Sequence, residues 1–212
     1  MKIISLTKTI ARTLVLTSML PMLSLAASDA EKLQKQLSQI NSLHAAFEQK
    51  VVDVNNKVIQ QGKGSFALSY PNKLYWHLTQ PDESVIVANK NGVWVFNPFA
   101  EEVTILDVKQ AIAQSPMTLL IHRDANTWSQ YSVIANNDCY SISPLNTEAP
   151  KTSVSACFSH HKLTEFTIFD PQGNISKFTL SQQRSLNKAE SKLFKFTVPD
   201  GVDIDDQRSI IR

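Results

Sequence analysis

Residues 73–99 constrain the fold more than any other stretch of this 212-residue chain. Turn-forming residues at 80–82, 89–92 and 97–98 divide it into three short segments with the composition of β-strands. The first segment alternates, placing Leu74, Trp76 and Leu78 on one face, whereas the next two, VIVA and VWVF, are apolar on both faces. Short connections favour antiparallel pairing, which normally leaves one face in water. The sequence therefore predicts that a helix or an apolar ligand covers the second face.

The rest of the chain extends this pattern into a mainly β, α+β fold. An amphipathic helix, capped by Ser28 or Asp29, is predicted first, with apolar residues at Leu33, Leu37, Ile40, Leu43 and Phe47. Short helices are predicted at 108–114 and from Pro116 onward. Strands are predicted at 46–54, 59–69, 73–79, 84–89, 92–97, 101–106, 130–135, 139–144, 154–159, 162–169, 174–184 and 192–198. We expect an antiparallel sheet of about 11–12 strands curled into an incomplete barrel, with the helices on its concave face as a lid.

The first 26 residues have the features of a secretory signal peptide. Three cations precede a short apolar run, and the small residues of Ser24-Leu25-Ala26 suit a cleavage site, so we predict cleavage after Ala26. A retained membrane anchor is the alternative, but the run is short and contains Pro21. Residues 27–212 are then expected to form a single domain in the periplasm. No Cys follows the cleavage site directly, so we expect no lipid on the mature protein.

The positive net charge of the full sequence comes from the predicted signal peptide at residues 1–26. Of 21 Lys and Arg, three lie before residue 27, which leaves 18 against 19 Asp and Glu. The expected mature protein has no basic surplus that would favour nucleic acid or an anionic membrane. Its later apolar runs are too short for a membrane-spanning helix, so we expect no stable membrane insertion.

Cys139 and Cys157 lie at equal distances from the centre of a predicted hairpin near Glu148. A symmetric register would place them opposite each other, close enough for a disulfide in an oxidising compartment. Two free buried thiols are the alternative.

The sequence offers no convincing catalytic or metal-binding pattern. His160 and His161 lie near Cys157, but no second pair of ligands has suitable spacing. The aspartates at 200, 203, 205 and 206 lack the glutamate of a calcium loop and are expected to form a solvated acidic tail. There is neither a G-x-S-x-G motif nor a glycine-rich phosphate loop. We therefore predict no enzyme and no cofactor, and a secreted hydrolase ranks last among the function classes.

Apolar side chains also alternate on the late predicted strands. Phe166 and Ile168 flank Thr167, and Phe194, Phe196 and Val198 share one predicted face. An ordinary core explains any single residue of this set. The combination of doubly apolar strands, an amphipathic helix and an apolar insertion instead favours a pocket beneath a removable cover.

Ordered motifs in this chain resemble the LolA family, the periplasmic carriers of outer-membrane lipoproteins. They are LHAAF-x-QK at 43–50, PN at 71–72, TQPDES at 79–84, W-x-FNPF at 94–99 and VDIDDQR at 202–208. The resemblance implies an open barrel with a helical lid and a monomeric chaperone that shields the acyl chains of lipoproteins. It implies triacylated lipoproteins as cargo, an inner-membrane ABC transporter as donor and an outer-membrane receptor as acceptor. An envelope interaction or receptor module that holds no lipid, and a carrier of another lipid or glycolipid, stay open as alternatives.

Carried onto this chain, the resemblance implies roles for three groups of residues. The acyl-chain cavity would be lined by Leu74, Trp76, Trp94 and Phe96, to which the strand pattern adds Phe166 and Ile168. The lid would comprise Leu33, Leu37, Ile40, Met117, Leu120 and Ile121. The mouth that meets the partners would comprise Tyr70, Pro71, Asn72 and Leu74.

Tyr70 departs from the family pattern. Familiar members have an arginine before the Pro-Asn pair, where it ties the lid shut. A phenol can donate one hydrogen bond but carries no charge. We therefore expect lid closure to rely either on Tyr70 donating to a lid carbonyl or on apolar packing alone.

Overall fold

The computed structural model describes residues 27–108, 110–111, 123–145 and 151–208. The helices whose bounds lie within these ranges are α1 (Asp29–Ser38), α2 (Ala125–Trp128) and a 3-10 helix (Lys188–Phe194). Its strands are β1 (Ser42–Val52), β2 (Val58–Ser69), β3 (Lys73–Gln80), β4 (Ser84–Asn89), β5 (Gly92–Asn97), β6 (Glu102–Leu106), β7 (Tyr131–Asn136), β8 (Cys139–Pro144), β9 (Ser153–Ser159), β10 (Lys162–Phe169), β11 (Ile175–Arg184) and β12 (Asp203–Asp206). Among the described residues, no helix is long and apolar enough to cross a lipid bilayer.

All the described strands belong to one sheet in the order β12-β6-β5-β4-β3-β2-β1-β11-β10-β9-β8-β7. Every neighbouring pair is antiparallel except β12 and β6, which run parallel. Strand β1 joins the two halves, because it pairs with β2 on one side and β11 on the other. The two edge strands, β12 and β7, are not paired with each other. The predicted incomplete barrel is confirmed.

Helix α1 begins with a capping box in which Glu31 N–H donates to the Ser28 hydroxyl (3.2 Å) and Ser28 N–H donates to the Glu31 carboxylate (2.7 Å). It ends at Ser38, so the predicted helix through Leu43 and Phe47 is wrong. Those two side chains lie on β1, where buried residues alternate with partly buried ones. A spacing of four keeps two residues on the same face of either a helix or a strand, and pairing with both β2 and β11 decides for the strand.

The concave face of the sheet carries the main core. Cross-strand register places Phe66 opposite both Ala45 and Trp76, and Trp76 opposite Ile86, which in turn faces Val95. Directly paired residues point to the same side of a sheet, so these side chains share one face. Leu33 and Leu37 of α1 belong to the same buried cluster. The helix therefore covers the concave face, as predicted.

The chain after β11 covers the convex face of β3 to β6. The strand predicted at 192–198 is wrong, because a 3-10 helix capped by Asn187 extends through Phe194 and residues 195–198 form no strand. The Asn89 amide donates to the Phe194 carbonyl (2.9 Å), and the Phe196 ring lies 5.7 Å from the ring of Phe96. The acidic residues at 203–206 are exposed, as expected, but they form β12 rather than a free tail. Backbone pairing with β6 decides this, since it does not depend on side-chain polarity.

Candidate functional site

The centre of the concave face is a cluster of five aromatic side chains. The rings of Phe47 and Trp76 stack with centroids 3.9 Å apart, and those of Phe166 and Phe178 stack at 4.5 Å. Trp76 meets Phe178 edge to face at 5.0 Å and Phe66 at 5.8 Å. The cluster joins the two halves of the sheet, because Phe66 and Trp76 come from β2 and β3 whereas Phe166 and Phe178 come from β10 and β11.

Gly64 allows the cluster to lie close to the sheet. A Cβ atom at this position would lie 2.7 Å from the Phe47 ring and 2.0 Å from the carbonyl oxygen of His77. Both distances are too short for real contacts, and the second partner is backbone. Glycine is therefore required where the Phe47 ring crosses β2.

Helix α1 lies over this cluster with a wholly apolar underside. Leu33 and Leu37 are 0% and 2% exposed, and Ile40 at the helix exit is also buried. The polar contacts of the helix with the barrel are hydrogen bonds at its two ends and on its outer side. Ala135 N–H donates to Asp29 (2.9 Å), and Nδ1 of His161 lies 3.0 Å from the side-chain oxygen of Gln36. The cover is thus held mainly by apolar contact.

Arg123, rather than Tyr70, donates the hydrogen bond to a carbonyl of the cover. Its guanidinium lies 4.6 Å from the centroid of the Tyr70 ring and donates to the carbonyl oxygen of Ile40 (2.8 Å). Burial lowers the pKa of Arg123 from its ordinary value, although the group stays charged at neutral pH. A cation over an aromatic face and a charged hydrogen bond together link the exit of α1 to the β2–β3 turn. Neither of the two expected ways of holding the lid included this arginine.

The structure brings together most of the predicted cavity residues within its described ranges. Leu74, Trp76 and Phe166 are buried on the concave face, and the partly buried Ile168 packs against the same cluster. Leu74 is only 3% exposed, so it belongs to the concave wall rather than to an accessible mouth. The other predicted mouth residues lie in or beside the β2–β3 turn, where Tyr70 and Pro71 are exposed and Asn72 is half-buried. The predicted lid residues Met117, Leu120 and Ile121 lie outside the described residues.

The placement of Trp94 and Phe96 on the cavity wall is wrong. Trp94 pairs with Val87, and Phe96 pairs with Val85, so both point to the face opposite Trp76. There they lie beneath the chain that follows β11. The turn between β4 and β5 could have revealed this, because a two-residue connection pairs Asn89 with Gly92 and sets the whole register.

Sequence reasoning missed three members of the aromatic cluster as cavity residues. Phe47 was assigned to the helix, and Phe66 and Phe178 were not singled out. The period-two pattern of Leu43, Ala45 and Phe47 could have identified the first. Arg123 has no comparable signal, because its partners are 53 and 83 residues away along the chain.

Cys139 and Cys157 occupy opposite positions on β8 and β9 and are joined by a disulfide. The bridge ties the β7–β8 hairpin to the β9–β10 hairpin. Within the described ranges, no three His, Cys, Asp or Glu residues gather closely enough to hold a metal ion.

Comparison with known proteins gives a consistent set of relatives. The family model described as "Outer membrane lipoprotein carrier protein LolA" matches residues 38–197. A protein of Shewanella woodyi named outer-membrane lipoprotein carrier protein is 56% identical over 182 residues, covering 86% of this chain and 88% of its own length. A protein of Shewanella frigidimarina with the same name is 51% identical over 200 residues, covering 92% of this chain and 94% of its own.

Among solved structures, a LolA superfamily protein from Nitrosomonas europaea matches with a TM-score of 0.49 at 12% identity. It covers 80% of this chain and 99% of its own.

Proposed function

Because this chain belongs to the LolA family of outer membrane lipoprotein carrier proteins, we propose that it binds the acyl chains of lipoproteins on its concave face and carries them across the periplasm. The observation that supports this most is the aromatic face beneath α1, whose cover is held mainly by apolar contact. The proposed acyl-binding wall comprises Leu74, Trp76, Phe166 and Ile168 together with Phe47, Phe66 and Phe178. The cover comprises Leu33, Leu37 and Ile40, with Met117, Leu120 and Ile121 as further proposed members.

Binding in this scheme exchanges one set of apolar contacts for another. The rings of Phe47, Trp76 and Phe178 fill the concave face in this conformation, so an acyl chain enters as α1 moves away and the rings separate. The side chains then contact lipid instead of each other, and their burial changes little. The net gain comes from the acyl chains, since each CH₂ removed from water contributes roughly 0.8 kcal/mol. For three acyl chains the sum is on the order of 30 kcal/mol, far more than an unassisted lipoprotein could offset in water.

The carrier must release its lipoprotein as readily as it binds it. The chain carries no nucleotide-binding motif, so the carrier has no energy source of its own, and transfer proceeds down a gradient of affinity. We propose an ATP-driven transporter in the inner membrane as donor and a receptor at the outer membrane as acceptor. The expected leader at residues 1–26 would deliver the protein to the compartment between them. A cover held by few directional contacts suits this role, because opening breaks few bonds.

A second candidate function is an envelope interaction module that holds no lipid. One observation favours it, namely that the concave face is occupied by the protein's own aromatic rings. Such a module would keep these rings in place when it meets a lipoprotein.

Photocrosslinking from neighbouring positions on one strand distinguishes the two candidates. Trp76 and Tyr75 are adjacent on β3 and point to opposite faces. A benzoylphenylalanine at position 76 should crosslink to an acylated lipoprotein loaded from detergent, whereas the same group at position 75 should not. Crosslinking from both positions, or from neither, would reject acyl binding on the concave face. Mass spectrometry of the protein purified from the periplasm should then identify triacylated lipoproteins rather than another lipid or glycolipid.

A further inference from the structure

A polar groove lies on the outer side of α1, away from the aromatic cluster. Its volume is ≈ 450 Å³, and its floor is Tyr140 of β8. Its walls are the outer face of the helix and the β9–β10 turn, and the lining residues are Lys32, Lys35, Gln36, Gln39, Tyr140 and His161. A smaller groove of ≈ 170 Å³ shares Gln36, Tyr140 and His161 and continues past Phe158 and His160 to Asn137 and Asp138. Lys32, Lys35 and Gln36 of α1 and its C-cap residue Gln39 follow one stripe, at intervals of three and four positions.

The side chains that line this groove are mostly cations and hydrogen-bond donors. Lys32 is paired with Asp29 at 2.9 Å. Among the described residues no ion pair involves Lys35, which lies one turn further along the helix. Two amides, one phenol and two imidazoles complete the lining, and Asp138 lies at the far end. The end of the groove next to α1 therefore presents a positive charge that the described part of the protein leaves unpaired.

The two histidines hold an uncommon backbone conformation. His160 and His161 both have positive φ, at 49° and 64°, in the two-residue turn between β9 and β10. Asn-Gly or Asp-Gly would make such a turn with less strain. His161 instead reaches Gln36 across the groove at 3.0 Å, and His160 lies 3.0 Å from the hydroxyl of Ser159. The strained turn thus places two imidazoles at the rim of the groove. Glycine would relieve the strain but has no side chain to place there.

The floor of the groove is rigid. The disulfide between Cys139 and Cys157 joins the strands that carry Tyr140 and Phe158, whose rings meet edge to face at 5.9 Å. The Phe158 N–H also donates to the Asp138 carbonyl oxygen (2.8 Å). The groups proposed below to bind the partner project from α1 and its C-cap above this cross-linked floor.

From these features we propose that the groove is a docking site for an acidic segment of a partner polypeptide. Carboxylates of the segment pair with Lys35 and Lys32, and the amides of Gln36 and Gln39 donate to its backbone carbonyls. Lys32 and Gln39 are seven residues apart, or about 10 Å along the helix. That length accommodates roughly three residues of extended chain. The proposal rests on the groove alone and does not require the concave face to bind lipid.

Binding of a defined acidic peptide tests the proposal. The probe is a labelled hexapeptide of alternating Glu and Ser with blocked ends, and its neutral counterpart has Gln in place of Glu. Fluorescence anisotropy of each peptide with the mature protein, at low ionic strength, measures affinity. Lys35→Glu should weaken binding of the acidic peptide about tenfold, since charge reversal turns an attraction into a repulsion.

The matched control is Lys57→Glu, the same charge change in the β1–β2 turn at the other end of the strands. It should leave the affinity unchanged, and equal unfolding midpoints for the two variants establish that both are folded. Equal weakening by both variants, or equal binding of the Glu and Gln peptides, overturns the proposal. Inorganic phosphate provides a further test, with NMR shifts of the Gln36 and Gln39 amides as the readout. If phosphate occupies the groove and the acidic peptide does not displace it, the proposal is also overturned. Because the test contains no lipid, its failure leaves the carrier function standing.

Discussion

The two faces of the sheet around β3 to β6 are both apolar, but their covers are held in different ways. On the concave face, α1 contributes Leu33 and Leu37, and the hydrogen bonds that it makes with the described part of the barrel lie at its margins. On the convex face, the 3-10 helix is fixed by charge. Glu190 receives two hydrogen bonds from Arg184, at 2.7 and 2.8 Å, and lies 2.5 Å from Nδ1 of His44. Strand β12 continues this cover by pairing its backbone with β6.

This difference separates a removable cover from a permanent one. Apolar contacts have no preferred direction, so α1 can exchange protein contacts for lipid contacts at little cost. The charged hydrogen bonds of Glu190 are directional, so moving the 3-10 helix away would break them and leave Glu190 and the half-exposed Arg184 without these partners. We therefore expect the outer cover to stay closed and the sheet to open on the other face. Four sets of substitutions test the contrast, beginning with the largest expected effect.

Removing one aromatic ring from each face should lower the free energy of unfolding by unequal amounts. Phe166 is fully buried in the aromatic cluster, so Phe166→Ala should lower the free energy of unfolding by about 3 to 5 kcal/mol. Phe96 is only partly buried on the convex face, so Phe96→Ala should cost about 1 to 2 kcal/mol. Urea denaturation measures both. Similar losses would show that the two faces are packed alike.

Loosening each cover should open different parts of the molecule. Leu37→Ala removes apolar contact beneath α1, so the free energy of opening the helix should fall by about 2 kcal/mol. Hydrogen exchange of the α1 amides should then become roughly 30-fold faster, with a smaller change in β3. Phe194→Ala, the matched change under the outer cover, should instead destabilise β3 and β4 together with their cover. If Leu37→Ala accelerates exchange in β3 as much as in α1, the inner cover is not a separate unit.

The ion cluster under the outer cover should stabilise the protein in a pH-dependent way. Hydrogen bonds from Arg184, and next from the Asn187 backbone, hold the pKa of Glu190 well below its usual value of 4.5. A depressed carboxyl pKa stabilises the fold fully above pH 4.5 and progressively less as the pH falls below it. Glu190→Gln should therefore lower the urea midpoint at pH 7, and the difference from wild type should shrink between pH 4.5 and pH 2. A difference that stays constant down to pH 2 would contradict this assignment.

The smallest effect is expected where Arg123 meets Tyr70. Tyr70→Phe keeps the aromatic face and should leave lipoprotein release unchanged, whereas Tyr70→Leu should weaken closure by about 0.5 to 1 kcal/mol and speed release. Arg123→Gln also removes the charged hydrogen bond to the Ile40 carbonyl, so its effect should be larger than that of Tyr70→Leu. Faster release from Tyr70→Phe would show that the hydroxyl matters, as one of the sequence-based hypotheses held.

Much of this architecture follows from local patterns. Turn residues and alternation located eleven of the twelve strands, because each pattern depends on neighbours a few positions away. The pairing of Cys139 with Cys157 followed from counting outward from one hairpin. The same method wrongly predicted a strand at 192–198, because Phe194 and Phe196 have the two-residue spacing of a strand. Their side chains are covered by contacts with strands that are distant in the sequence. The acidic β12 has no apolar pattern at all, and only its backbone pairing reveals it.

The amino-acid pattern alone determined that the β3–β5 region would be apolar on two sides and that a helix would lie against one of them, since both are properties of side-chain period. Tertiary structure decided which residues share a side and how each cover is held. Cross-strand register fixes the first, and it places Trp94 and Phe96 on the face opposite Trp76. The second depends on partners such as His44 with Glu190 and Arg123 with Tyr70, whose meeting requires the folded sheet because they are far apart in the sequence.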